Sequence, residues 1–362
     1  MTRTQGRVAR ARKILHTLGC LCLLPFLVCF SSAALAQPPS FHVEVKLVTV
    51  VATVKDRAGQ PAADLERQDF SILAGGVPQD IALFERQTDR ALSVVLLFDS
   101  SPSVAKELKF EQDSAVRFVR DLLGPGARPD DRLAIYQFSD FVNQLQGFTA
   151  SPGRLEKAVY SIRTSGGTSV YDALYLAARR LERRDGRRVI VIITDGGDTT
   201  STIKFADALE SVQLADAVVY SVIVVPITSD AGRNLGGEHA LETMSAATGG
   251  LSFLEHSERD LDQTFHQIVR DLRLQYLLGF YPHGVPSGPE RFHRIQVRVN
   301  RPDVRVLART GYFSGPDSEQ SANDPAPVEI EGGPPRDRRS PAPGRPVSKQ
   351  QHAADPSPRS IP

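Results

Sequence analysis

Four apolar runs constrain this chain more than any other feature. Residues 94–98, 133–138, 189–193 and 218–225 have strand length, and three of them are nearly unbroken. Such runs suit parallel strands covered on both faces, because a strand with one wet face alternates instead. Amphipathic segments lie between them. One carries Leu108, Ala115, Phe118, Val119 and Leu122, and another carries Ala173, Leu174, Ala177 and Leu181. A third carries Leu261, Phe265, Ile268, Val269 and Leu272. Each set falls on one face of a helix. Strand–helix alternation over residues 88–272 predicts a doubly wound α/β domain of about six strands.

The flanks read differently. In residues 38–87, Val43, Val45 and Leu47 alternate with Glu44 and Lys46, then the phase shifts to Val48, Val50, Ala52 and Val54. That shift predicts a bulged strand. Residues 55–59 read as a turn, and residues 69–73 and 81–84 as short strands around Gly75-Gly76. In residues 273–314, an apolar run at 276–281 precedes alternation at Ile295, Val297 and Val299, then at Val304 and Val306. Each flank is too short to form a stable sheet alone. The two are expected to pair into one small β-sandwich-like domain, with the α/β domain inserted between them. Residues 315–362 are rich in Pro, Ser and charge with almost no large apolar side chain, so they are expected to be disordered.

The first 36 residues read as a secretory signal. Arg3, Arg7, Arg10, Arg12 and Lys13 precede an apolar run over 14–35, and Ala34-Leu35-Ala36 supplies a small-x-small cleavage pattern that leaves Gln37 first. The alternative is an uncleaved membrane anchor, which His16 and Pro25 disfavour by interrupting the run. All three cysteines (Cys20, Cys22, Cys29) lie in this segment, so the exported chain has no thiol and no disulfide. The formal charge of +1 also depends on the segment: without it, 38 bases face 42 acids. No strongly basic domain remains, and nucleic-acid binding has no electrostatic support.

Chemistry concentrates at the carboxyl ends of the predicted strands, where open α/β sheets collect ligands. The first run ends in Asp99-Ser100-Ser101-Pro102-Ser103; Gly166-Gly167-Thr168 opens a helix over 169–183; and Thr194-Asp195-Gly196-Gly197 ends another buried run. Taken singly, each is an ordinary cap or strand-end turn. Together they place two carboxylates and three hydroxyls on one rim. Hard oxygen donors without nitrogen or sulfur suit Mg²⁺, and Mn²⁺ or Ca²⁺ also fit. Only Asp99 and Asp195 carry charge, so a divalent ion there is neutralised but not saturated. It can accept one more carboxylate from outside.

These residues resemble the metal-ion-dependent adhesion site (MIDAS) of von Willebrand factor A domains, with all five positions filled by Asp99, Ser101, Ser103, Thr168 and Asp195. Asp64-Leu65-x-x-x-Asp69-Phe70, Tyr276-Leu277-Leu278-Gly279-Phe280-Tyr281-Pro282 and Arg309-Thr310-Gly311-Tyr312-Phe313 are similar to motifs of the acidobacterial-type VWFA-related exported family. The resemblance implies a VWA fold, a binding role, direct ligation by Ser101, Ser103 and Thr168, and partial action of Asp99 and Asp195 through water. The expected partner is a protein that offers an acidic residue; no small-molecule substrate is implied.

Enzyme signatures are missing from the sequence: there is no G-x-S-x-G elbow, no P-loop and no H-E-x-x-H. His239, His256, His266, His283 and His293 are scattered. Glu182, Arg183, Arg184, Asp185, Arg187 and Arg188 read as a solvated helix end that frames the next strand. A metal-activated hydrolase stays open as the alternative, with Asp198 the one spare carboxylate near the loops to serve as base. A scaffold with a structural or vestigial metal site is the third reading.

Overall fold

The computed structural model describes residues 47–86, 90–225, 234–285 and 291–314. The expected signal segment, the expected disordered tail and the alternation at Val43 and Val45 lie outside the described residues. Four strands come first: β1 (Val48–Asp56), β2 (Phe70–Ala74), β3 (Val77–Gln79) and β4 (Ile81–Arg86). An α/β part follows, running β5 (Leu92–Asp99), α1 (Leu108–Leu123), β6 (Arg132–Phe138), β7 (Val142–Thr149), α2 (Pro152–Tyr160) and α3 (Val170–Leu181). It continues through β8 (Arg187–Thr194), α4 (Phe205–Leu214), β9 (Ala217–Val224), α5 (Leu235–Thr248), β10 (Ser252–Glu255) and α6 (Glu258–Arg273). Then come β11 (Tyr276–Phe280), β12 (Phe292–Val299), β13 (Val304–Ala308) and β14 (Gly311–Phe313).

The α/β part is the expected doubly wound fold. Its sheet has six strands in the order β10-β9-β8-β5-β6-β7. All neighbours are parallel except β6 and β7. Every residue of β5 and β9 is buried. The two faces of β5 feed two cores: Leu92, Val94, Leu96 and Phe98 pack with α1, α2 and α6, while Val95 and Leu97 pack with α3, α4 and α5. From β5 the chain moves to β6 on one side, then crosses to β8 on the other. The carboxyl end of β5 is therefore the topological switch point, where such sheets open a crevice.

The flanking strands form two four-stranded sheets, β13-β1-β11-β4 and β14-β12-β2-β3. They enclose a third core around Val50, Ile72, Tyr276, Leu278, Phe280 and Tyr312. Strands from both sides of the α/β part pair: β1 with β11 and β13, and β12 with β2. β4 and β11 are antiparallel neighbours, with Arg86 opposite Tyr276. The α/β part thus leaves and returns between adjacent strands. The Tyr276 hydroxyl, inside this core, donates to Ala62 O at 2.8 Å and accepts from Leu65 N at 3.0 Å, which fixes the approach to β2.

Two local readings change. Residues 55–59 are only partly a turn: β1 continues to Asp56, and Lys55 is buried in it, with Nζ 2.6 Å from Asp271 Oδ2 of α6. Arg187 is not part of a solvated helix end. It begins β8, is 5% exposed, and donates to the Leu272 carbonyl and to Gln275 Oε1. Burial pulls its pKa down to about 10, with the Arg273 charge adding to the effect. Gln275 in turn donates to Thr53 Oγ1 at 3.1 Å. A buried polar seam therefore joins the end of α6 to β1.

Candidate metal centre

Three loops meet at the carboxyl rim of β5 and β8, and hydrogen bonds tie each to the others. The first follows β5 and carries Asp99, Ser101 and Ser103. Ser100 N and Oγ both donate to Phe138 O, at 2.8 and 3.0 Å, which fastens this loop to the end of β6. Ser165 N donates to Ser100 O at 2.8 Å and brings in the second loop, which carries Thr168. Thr168 O accepts from Thr199 N and Thr200 N at 2.8 and 3.1 Å, so the second loop is bound to the third. Thr194 Oγ1 donates to Asp99 Oδ2 at 2.6 Å and closes the circuit.

The side chains proposed from the sequence share this rim. Asp99 is fully buried, Ser101 and Thr168 are 2% and 5% exposed, Ser103 is exposed and Asp195 is half-buried. Ser101 Oγ and Ser103 Oγ converge to 2.9 Å. Asp99 is fixed from behind, with Oδ1 accepting from Ser101 N at 2.8 Å and Oδ2 from Thr194. Burial pushes the Asp99 carboxyl up to about 6; the hydrogen bonds from Thr194 and Ser101 oppose this, and the nearby Asp195 charge adds to it. A buried carboxylate beside a second one, with hydroxyls alongside, is a donor set that fits a hard divalent cation.

Several supporting residues were not apparent from the sequence. Asp140 Oδ1 accepts from Gly167 N at 2.6 Å and holds the Gly-Gly-Thr loop. Ser169 Oγ donates to Ser139 O at 2.7 Å. Gly196 has φ +88°, and a Cβ on Gly237 would lie 1.6 Å from Gly196 O. Only glycine lets the start of α5 press this closely on the third loop. Glu111, buried on α1, and Glu107, buried just before it, also lie near this region; burial pushes the Glu111 carboxyl well above its usual range, and Asp99, Glu107 and Asp195 add to that.

Asp198, the spare carboxylate of the hydrolase reading, is already engaged. Its Oδ1 accepts from Val170 N at 2.8 Å and from Ser201 Oγ at 2.5 Å, capping the start of α3. The described histidines lie on other elements. His266 pairs with Asp121 at 2.8 Å and His239 sits 3.8 Å from Glu242.

No protein of curated function matches this chain. Among solved structures, the von Willebrand factor type A protein from Catenulispora acidiphila is similar at 12% identity and a TM-score of 0.43, covering 78% of each chain. The vWF domain of the type V pili tip protein Mfa5 from Porphyromonas gingivalis is 13% identical with a TM-score of 0.43, covering 56% of this chain and 99% of that one. BatB from Bacteroides thetaiotaomicron is 17% identical with a TM-score of 0.40, covering 50% and 98%. Residues 94–197, which span all three loops, match the family model of the von Willebrand factor type A domain. Residues 94–197 of this chain therefore belong to a von Willebrand factor type A domain.

Proposed function

We propose that the protein is an exported binding module in which Asp99, Ser101, Ser103, Thr168 and Asp195 hold one Mg²⁺, and that a protein partner completes the ion's coordination with an acidic side chain. The observation that carries this reading is the convergence of the Ser101 and Ser103 hydroxyls beside a buried Asp99 carboxylate locked by Thr194. The three hydroxyls add no charge, so two carboxylates balance a divalent ion and leave it able to attract a third. Bound there, the ion supplies electrophilic capture of an anionic oxygen. The chain's own residues orient the donors and present them at the rim. Asp198, the base that the hydrolase reading would call on, is committed to capping α3, and this favours binding over hydrolysis. The sequence of the first 36 residues supports the export part of this reading; among the described residues no helix is long and apolar enough to cross a membrane.

Calorimetric titration of Mg²⁺ into the protein tests the site, and capture of envelope proteins with and without chelator tests the mechanism. Wild type should bind one Mg²⁺ at this site, Asp99→Ala should lose it, and Thr168→Ala should weaken it with the fold intact. Equal heats for wild type and Asp99→Ala would overturn the site. Capture that ignores chelator would overturn the metal-dependent mechanism and leave a structural ion. N-terminal sequencing of the exported protein checks for cleavage before Gln37.

A further inference from the structure

The amino ends of the parallel strands form the pole opposite the metal rim, and arginines gather there. In register, Arg132 of β6 and Arg188 of β8 flank Ser93 of β5, so all three project to the face that α3 covers. Neighbouring strands are about 4.8 Å apart, which sets the backbones of the two arginines roughly 10 Å apart. Arg184, just past α3, joins them. Its Nε donates to Ser93 Oγ at 3.2 Å, and its guanidinium lies 4.9 Å from the centre of the Phe148 ring. Its carbonyl accepts from Arg188 Nε at 2.8 Å. Arg180, in the last turn of α3, and Arg183, just beyond the helix, are exposed.

Neutral groups hold the inner three in place. Arg188 Nη1 donates to Ala215 O at 2.8 Å, and Arg132 Nη1 donates to Pro129 O and Asp131 O at 2.6 and 2.8 Å. Among the described residues, none of these five arginines has a carboxylate partner. Two neighbouring acids are already engaged: Glu182 pairs with Arg179 at 2.7 Å, and the buried Asp131 with Arg273 at 2.8 Å. Asp130 and Asp185 are exposed, two acids against five bases. Bases in the last turn of a helix offset its dipole, which accounts for Arg180. It does not account for Arg132 and Arg188, which come from strands. Nor is the cluster a by-product of general basicity, because residues 37–362 hold 38 bases against 42 acids.

We propose that this pole docks on an anionic lipid surface. The charges are spread over the starts of β6 and β8 and the end of α3, an arrangement that matches headgroups repeated across a surface. Asp99 stands at the other end of β5, about 20 Å from Ser93 at roughly 3.3 Å per residue. Docking by the arginine pole therefore points the metal rim away from the membrane. The inference does not rest on the metal reading.

The test is cosedimentation of the exported protein with phosphatidylcholine vesicles that contain or lack phosphatidylglycerol, in chelator. The variants are Arg180→Gln with Arg183→Gln, and Arg163→Gln with Arg259→Gln. The second pair removes the same charge from exposed positions after α2 and at the start of α6, on the carboxyl side of the sheet. The first 36 residues are common to every variant, so the comparison isolates the patch. Far-UV circular dichroism establishes that each is folded. Wild type should bind only the vesicles with phosphatidylglycerol, and added salt should weaken that binding. The Arg180 and Arg183 pair should lower it about 25-fold, at about five-fold per base near an anionic surface. The Arg163 and Arg259 pair, and Asp99→Ala, should bind as wild type does. Equal wild-type binding to both vesicles overturns the proposal, as does an equal loss in the two arginine pairs. Calorimetry with inorganic phosphate covers the other source of the same chemistry: saturable phosphate binding without vesicle binding also overturns it.

Discussion

The Thr194 hydroxyl donates to Asp99 Oδ2 at 2.6 Å, joining the end of β8 to the end of β5. Thr194 Oγ1 in turn accepts from Gly196 N at 3.1 Å. Thr194 thus orients the buried carboxylate and the turn that follows β8 at once. Thr194→Val keeps the shape and removes both bonds. Mg²⁺ affinity should fall about 10-fold or more, as when other outer partners of metal ligands are lost. Stability should fall by roughly 1–3 kcal/mol, because Gly196 N is left unpaired. Calorimetry and denaturant melts of the variant read the two effects separately; unchanged affinity would show that Asp99 needs no such support.

Asp99 also predicts a pH dependence. Burial raises its pKa to about 6, above its value in the unfolded chain. The folded state therefore holds the proton more tightly. The stability this contributes is fully present below the unfolded pKa and is lost as pH rises through about 6. At about 1.4 kcal/mol per pKa unit, the loss approaches roughly 3 kcal/mol. Denaturant melts of wild type and Asp99→Asn in chelator, from pH 4 to 8, isolate it: the difference between the two should change with wild type losing ground. Added Mg²⁺ should reverse the trend, since the ion favours the ionised carboxylate. A flat difference in chelator would mean that Asp99 titrates normally.

The parallel core was plain in the sequence because β5, β8 and β9 are buried on both faces, so nearly every position must be apolar. β7 was not. Its residues Val142–Thr149 are half-buried or exposed on an antiparallel edge strand, and its Asn, Gln and Gly carry no clear period. β10, at four residues, is too short to show one. The five residues proposed as metal donors stood out because each lies in a short motif, four after the ends of β5 and β8 and Thr168 just before α3. Thr194 and Asp140 were not, since their roles arise from contacts across 95 and 27 residues of chain. Glu111 had a visible signal, its place at the spacing of Leu108, Ala115, Phe118 and Leu122 on α1. Lys55 had none: a lysine beside Asp56 and Gly59 reads as a turn until Asp271 is brought to it by the fold.

The Lys55–Asp271 pair predicts strong coupling between β1 and α6. The two side chains are 7% and 1% exposed and 2.6 Å apart. Lys55→Met leaves Asp271 buried and uncompensated, which should cost about 3–5 kcal/mol. Replacing both, as Lys55→Met with Asp271→Leu, should recover most of that loss, because two apolar side chains leave no charge behind. A double-mutant cycle by denaturant melts measures the coupling. Additive losses would show that the pair does not interact energetically.

Phe265 of α6 is 1% exposed, and its ring centroid lies 4.9 Å from that of Phe118 on α1. The contact closes one face of the parallel sheet. Phe265→Ala removes the ring from both helices and should cost roughly 3–5 kcal/mol. Thermal and denaturant unfolding measure it, and a loss below about 1 kcal/mol would mean that the neighbours collapse into the space.

Phe141 offers a test of the binding face that is independent of the metal. It sits in the turn between β6 and β7 and is 76% exposed. Its neighbour Asp140 holds Gly167 N, one residue before Thr168, so the ring stands on the metal rim. A single exposed aromatic is unremarkable on a protein surface. At the edge of a site that presents an ion, it is well placed to anchor a partner whose carboxylate meets that ion, as interface cores favour aromatic side chains. Phe141→Ser should leave stability within about 0.5 kcal/mol of wild type, because the ring supports no core. Mg²⁺ affinity should also be unchanged, since Phe141 supplies no ligand. Partner capture should fall about 10-fold, the effect of losing an interface anchor worth about 1.4 kcal/mol. Capture equal to wild type would place the partner elsewhere on the rim, whereas a parallel loss of Mg²⁺ affinity would show that the turn shapes the site and not the interface.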